Sequence, residues 1–129
     1  MKQTDTEVLA KSRKLLQELK ELRGGSVLTS HTRMGNDPAL LEAFIAQYTC
    51  CNKKRQILDD KTRELIVMAI GMVTGTEMTT KVHAKLAYEA GATVDEICQV
   101  IRLIFFTCGI TKVIPALEIL DAIDFENQN

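Results

Sequence analysis

Apolar residues recur three and four positions apart along most of this chain, which is the period of amphipathic helices. The strict alternation of apolar and polar residues that is typical of strands does not occur. The pattern predicts six helices, at approximately residues 5–23, 37–52, 60–75, 76–91, 94–109 and 114–123. The polar stretch 26–36 is interpreted as a loop. The sequence therefore predicts an all-α fold.

Capping signals mark several of the helix ends. Thr93 and Glu96 stand three residues apart before an apolar run, as in a capping box. Asp37 precedes Pro38, which suits an N-cap followed by the first helical position. Gly75 is placed to end the third helix, because glycine tolerates the left-handed conformation found there.

The length of 129 residues fits one compact domain, and no internal repeat divides the chain. We expect a single domain over 1–129, with an N-terminal helix within 1–25 and a core at 26–123. Hydrophobic residues make up 46%, which excludes a disordered tail, and 26% charged residues exclude a membrane bundle. The formal charge of −1 argues against general binding to nucleic acid or an anionic membrane, because both need excess Lys and Arg.

The N-terminus is polar, and the longest apolar run, 65–73, is far shorter than the roughly 20 residues of a membrane span. These observations predict a soluble, cytoplasmic protein. Its cysteines are then expected to be reduced thiols: Cys50, Cys51, Cys98 and Cys108. With two histidines and no Cys-x-x-Cys pair, the sequence predicts neither a metal site nor a cofactor. Zinc bound by His31 with Cys50 or Cys51 is disfavoured for the same reason.

Two polar side chains on apolar helix faces are the candidates for chemistry. His83 aligns with Thr79 and Ala87 beside an apolar stripe, so its imidazole is expected in a crevice lined by small residues. A buried histidine bonded to one backbone carbonyl would give the same pattern. Glu64 lies at the edge of an apolar face, where partial desolvation suits a carboxylate to proton transfer. The alternative is a first-turn glutamate that interacts with the positive end of its own helix dipole.

The spacing of these residues resembles the carboxymuconolactone decarboxylase/alkylhydroperoxidase D superfamily. Glu64 is followed by eleven residues and then by the run from Thr76 to His83. Redox members of the superfamily carry a glutamate, eleven residues and then Cys-x-x-Cys-x-x-x-His. The stretch from His83 to Ile97 looks like the family's histidine, alanine, glycine and Thr-x-x-Glu-Ile run, and 36–44 resembles the helix before the core. The resemblance covers residues 26–123 and implies a fold that assembles into trimers or hexamers.

Both cysteine positions of the redox motif are threonine in this chain, Thr76 and Thr79. In the peroxidases a thiolate near a helix N-terminus attacks the peroxide. A threonine hydroxyl forms neither a sulfenic acid nor a disulfide, so the dithiol mechanism is lost at this site. Thr76 instead suits an N-cap whose hydroxyl accepts hydrogen bonds from backbone amides.

The decarboxylase branch of the superfamily does not need the cysteine pair. The resemblance implies loss of carbon dioxide from a lactone acid, with proton transfer to the resulting dienolate carbon. His83 is expected to transfer the proton or polarise the lactone carbonyl, and Glu64 to orient it or shuttle the proton. Arg33, beside His31 in the polar loop, is the candidate for holding a substrate carboxylate. The Gly-x-Pro turn frequent in the decarboxylases is missing, so a different substrate pocket is expected.

Two other interpretations stay open at this stage. One is a peroxidase that uses a cysteine outside the motif. The other is a non-catalytic helical oligomer or binding member of the family, whose site decayed with the cysteines. A crevice shared by His83 and Glu64, with room for a substrate, would favour the enzyme. All of these interpretations predict self-association, for which the apolar stripe of the first helix is an expected contact surface.

Overall fold

The computed structural model describes residues 2–54 and 57–121. Within these ranges the chain forms helices and no strand, so the predicted all-α fold is confirmed. The helices, in chain order, are α1 (Thr6–Leu22), α2 (Thr29–Met34), α3 (Pro38–Asn52), α4 (Asp60–Thr74), α5 (Glu77–Glu89), α6 (Val94–Cys108) and α7 (Ile110–Asp121).

The stretch predicted as a loop contains the short helix α2, so the described part of the chain has seven helices rather than six. Six residues are too few to show a helical apolar period, which is why the pattern missed α2. The start of α2 is held by a side chain instead: the Leu28 backbone N–H donates to Nδ1 of His31 over 3.0 Å.

The last helix begins at Ile110, about one turn before the predicted start at Ile114, and it contains Pro115. The break before it is Gly109, which has a φ of +85°. Pro115 lies within the second turn, past the first-turn position where proline is best tolerated, so α7 lacks one backbone N–H donor there. The predicted end of this helix at residue 123 lies outside the described residues.

The capping signals predicted for α3, α4 and α6 are confirmed. The Glu96 N–H donates to Thr93 Oγ1 over 3.1 Å, and the Thr93 N–H donates to Glu96 Oε2 over 2.8 Å, which completes the capping box of α6. The Asp37 carboxylate accepts the Ala39 N–H over 3.0 Å at the start of α3. Gly75 ends α4 with a φ of +70°.

The chain divides into two compact units, a first of residues 1–56 and a second of residues 57–129. The expectation of one domain over 1–129 stays a prediction. In the first unit, α1 packs against α3 around a core of Leu19, Leu41 and Ile45. The apolar stripe of α1 is partly covered within its own unit, where Leu19 is buried and Leu15 and Leu22 are half-buried. A contact between protomers through this stripe stays a prediction.

The second unit contains α4 to α7 around one apolar core: Met68, Met72, Ala84, Ile97, Ile104, Val113, Ala116 and Leu120. Helices α4 and α5 approach very closely at Gly71, where an added Cβ would stand 2.7 Å from the Thr80 backbone nitrogen. Gly75 and Thr76 alone join these two helices, so α5 returns directly alongside α4. None of the helices in the described ranges is long and apolar enough to cross a membrane.

Candidate active site

The glutamate of the predicted pair lies near the start of α4. Asp59 caps this helix, because its carboxylate accepts the Thr62 N–H over 2.8 Å, and that hydrogen bond is the main reason the pKa of Asp59 is lowered. Glu64 follows in the next turn and is only 6% exposed. A carboxylate buried to this extent needs charged or hydrogen-bonding partners nearby.

His83 of α5 supplies one of these partners. Its Nδ1 forms a hydrogen bond with Oε2 of Glu64, which joins residues nineteen positions apart in the chain. The hairpin of α4 and α5 makes this contact possible, since the close crossing at Gly71 holds the two helices side by side. The His83 side chain is 28% exposed. Within the described residues, nothing donates to or accepts from its other ring nitrogen, Nε2.

Arg63 is the second partner of the buried carboxylate. Its Nη2 donates to Glu64 Oε1 over 2.7 Å, and the same nitrogen lies 3.5 Å from Asp60 Oδ1. Each oxygen of Glu64 is thus engaged by a different nitrogen-bearing side chain. Sequence reasoning missed Arg63. The available signal was an arginine directly before a glutamate on an apolar face, because such a carboxylate needs a cation.

The arrangement suits proton transfer at one defined atom. An ionised carboxylate only accepts hydrogen bonds, so its partner nitrogen, Nδ1 of His83, carries a hydrogen. Nε2 is then the atom that takes up or gives away a proton. An imidazole anchored through one nitrogen and open at the other is the arrangement used in general acid–base catalysis.

The two threonines at the motif positions flank the start of α5. Thr76 is the N-cap by backbone conformation, but its hydroxyl makes no capping hydrogen bond and lies 3.0 Å from the hydroxyl of Thr74. The prediction that the Thr76 hydroxyl accepts hydrogen bonds from backbone amides is therefore wrong. The hydroxyl forms a hydrogen bond with Thr74 of α4 instead. Thr79 is partly buried one turn before His83.

The predicted substrate-binding residues His31 and Arg33 belong to α2 in the first unit, whereas Glu64 and His83 belong to the second. His31 is 3% exposed and its ring lies 4.9 Å from that of Phe44. Burial, and then the positive charge of Arg23, lower the pKa of His31 below its ordinary value. The structure gives His31 a role in holding α2, and Arg33 is exposed. Substrate binding by either residue stays a prediction.

The four thiols are unpaired in the structure. Cys50, Cys51 and Cys108 are exposed and Cys98 is partly buried. Cys98 lines an open apolar groove of about 430 Å³ between α6 and α7. Over residues 2–54 and 57–121, no group of three or more His, Cys, Asp or Glu side chains is placed to hold a metal ion.

The all-α fold agrees with the comparisons with known proteins. The model of the carboxymuconolactone decarboxylase family matches residues 38–122, which is well over half of the chain, so this protein belongs to that family. An uncharacterized protein of Methanocaldococcus jannaschii is 33% identical over 61 residues, covering 47% of this chain and 57% of that protein. The chain thus spans a little over half the length of this relative. No solved structure gives a significant match.

Proposed function

We propose that this protein is a carboxymuconolactone decarboxylase-like enzyme that transfers a proton to a small lactone or related carboxylic acid during decarboxylation. The observation that carries the proposal is the geometry of His83, which is anchored through Nδ1 to the buried Glu64 and open at Nε2. Membership of the family supports the substrate class.

In the proposed step the substrate loses one carbon dioxide and gains one proton. The bond between the substrate carboxylate and its carbon breaks, and its electron pair passes into the carbon framework conjugated with the carbonyl, which gives a dienolate. The Nε2–H of a protonated His83 donates its proton to the dienolate carbon, and the imidazole then regains a proton from solvent. Glu64 keeps the ring oriented throughout, which favours its orienting role over a shuttling one.

Substrate access is proposed at the exposed edge of the His83 ring. A cavity of about 140 Å³ in the same unit is lined by Gly71, Thr80, Thr111, Lys112 and neighbouring side chains, and neither Glu64 nor His83 lines it. The groove between α6 and α7 is also lined by other residues. These cavities therefore do not distinguish an enzyme from a non-catalytic family member. A measurement of activity makes that distinction.

The peroxidase alternative has less support. Thr76 and Thr79 leave the motif without a thiol, and no cysteine is a hydrogen-bonding partner of His83 among the described residues. Cys98 and Cys108 both belong to α6, and Cys50 and Cys51 belong to the first unit. A peroxidase would need one of these thiols, none of which hydrogen-bonds His83, to take the place of the motif cysteines.

The test is an ultraviolet assay of carboxymuconolactone decarboxylation, run beside a thiol-dependent peroxide assay on the same sample. We expect lactone turnover, lowered at least about 100-fold in His83→Gln, since a positioned acid–base group contributes on that scale. Lys81→Gln, an exposed change on the same helix, is the control and should keep full turnover. Peroxide reduction without lactone turnover would replace the proposal with the cysteine alternative. Absence of both activities favours a binding member of the family.

A further inference from the structure

The buried carboxylate of Glu64 lies between two side chains of different chemistry. Arg63 donates to Oε1 from a guanidinium that stays protonated at any physiological pH, and His83 bonds Oε2 through a nitrogen that can gain or lose a proton. Because Glu64 is 6% exposed, water contributes little to holding its orientation. The two partners therefore decide which way the carboxylate faces.

The tautomer of a neutral histidine is set by the hydrogen bond that one of its ring nitrogens makes. If Glu64 stays an oriented carboxylate, it accepts from Nδ1 and the lone pair is left on Nε2. If the carboxylate turns away, Nδ1 loses its acceptor, and the ring is free to carry its hydrogen on Nε2 instead. In that second tautomer Nε2 has no lone pair with which to regain a proton from solvent.

We propose that Arg63 is a positioning residue that holds the Glu64 carboxylate against His83 and so fixes the imidazole in the Nδ1–H form. Its effect on turnover rests on the proposed function, whereas its effect on the tautomer does not. Arg63 acts through Glu64 and is not itself placed at the reacting atoms.

The neighbouring charges do not duplicate this role. Lys61, two residues earlier in α4, bonds Glu96 Oε1 over 2.7 Å, a contact that raises the pKa of Lys61 and lowers that of Glu96. Asp60 lies farther from Arg63 than Glu64 does, at 3.5 Å against 2.7 Å. A mutually exposed ion pair contributes little to stability, but removing the cation beside a nine-tenths buried carboxylate leaves that carboxylate short of a partner.

The experiment is long-range proton–nitrogen NMR of the ¹⁵N-labelled full chain above the pH at which the histidines titrate. The chain has two histidines, and His31 is an internal reference because its Nδ1 accepts the Leu28 N–H and its hydrogen must lie on Nε2. We expect the opposite pattern for His83, with a protonated Nδ1 and an unprotonated Nε2. His83→Gln assigns the two sets of signals.

In Arg63→Gln we expect the His83 signals to move toward the Nε2–H pattern, with His31 unchanged. Arg63→Lys, which keeps the charge, should restore the original pattern in part. Lys61→Gln removes a cation from the same turn of α4 and should leave His83 as it is. Turnover in Arg63→Gln should fall about tenfold in kcat with KM little changed, by analogy with the hydrogen-bonding partners that orient metal-ligating histidines.

The proposal is overturned if Arg63→Gln folds and leaves the His83 tautomer unchanged, or if Lys61→Gln shifts it equally. Should Arg63→Gln fail to fold, the Arg63→Lys spectrum decides: restoration in part means that some shift toward the Nε2–H pattern remains, and a spectrum identical to that of the wild-type protein overturns the proposal. If the expected NMR shifts occur but the protein shows no lactone turnover, the positioning role of Arg63 is supported and the proposed reaction is contradicted.

Discussion

At the scale of single residues, the two candidates Glu64 and His83 form a hydrogen bond, and Arg63 joins them as a second partner of Glu64. His83 and Glu64 could be proposed from the sequence because both are polar residues at fixed positions on apolar faces. Their direct contact could not, since it depends on how closely α4 and α5 pack. Arg63 was missed because its partner is its immediate neighbour in sequence, and residues one apart on a helix do not ordinarily face each other.

Glu64→Gln tests the orienting role of the carboxylate. The amide keeps the volume of the side chain but can donate to Nδ1 of His83, which favours the wrong tautomer, and it loses the charge that Arg63 binds. We expect kcat to fall about 100-fold and the thermal midpoint to drop. Steady-state kinetics and calorimetry measure the two effects. Full turnover in a folded Glu64→Gln protein would remove Glu64 from the mechanism.

At the scale of elements, local chemistry decided what the sequence could predict. The capping box of α6, the Asp37 cap of α3 and the glycine end of α4 all depend on residues within a few positions, and all three were predicted. The short helix α2 was not, because its start depends on a histidine side chain that is held by burial against Phe44. A tertiary contact of that kind leaves no periodic signal.

The His31 contact makes the start of α2 sensitive to pH. The pKa of His31 is lowered in the folded protein by burial and by Arg23, so the unfolded chain binds the proton more tightly. The contribution of His31 to the free energy of unfolding is fully present above the unfolded pKa of about 6.5 and is lost as the pH falls through the lower folded pKa.

We therefore expect the denaturant midpoint of the protein to fall between pH 7 and pH 5. His31→Asn carries an amide oxygen that can accept the Leu28 N–H and does not titrate, so its midpoint should change less over this range. Carboxylates with lowered pKa values, such as Asp59 and Glu96, titrate at more acidic pH and do not obscure the comparison. Parallel curves for the two proteins would show that His31 is not the titrating group.

The crossing of α4 and α5 has its own test in Gly71→Ala. In an unconstrained helix this substitution gains about 0.5–1 kcal/mol. Here the added Cβ would meet backbone and hydroxyl atoms of Thr80 at 2.7 and 2.9 Å, so the helices must separate. We expect a net loss of about 1–3 kcal/mol in the free energy of unfolding, as overpacking typically costs. Denaturant unfolding measures it, and a stabilised Gly71→Ala protein would contradict the close approach.

At the scale of the whole molecule, the second unit leaves large apolar side chains uncovered. Phe106 is 86% exposed and Leu103 is 53% exposed on α6, while Ile66 and Ile70 are about half exposed on α4. Exposed apolar faces of this kind are typical of surfaces that bind another protein. We propose that the trimer or hexamer implied by the family resemblance uses these faces of the second unit.

Phe106→Glu tests this assignment. A charge on the most exposed aromatic side chain opposes burial in an interface, because an unpaired buried carboxylate is strongly unfavourable. We expect the wild-type protein to sediment as a trimer or hexamer and Phe106→Glu to sediment as a smaller species with unchanged helical content. Gln99→Glu adds the same charge to a polar, exposed position of α6 and should keep the wild-type assembly. A monomeric wild-type protein would contradict the prediction of self-association. A Phe106→Glu protein that still sediments as the wild-type oligomer would show that the interface does not include Phe106.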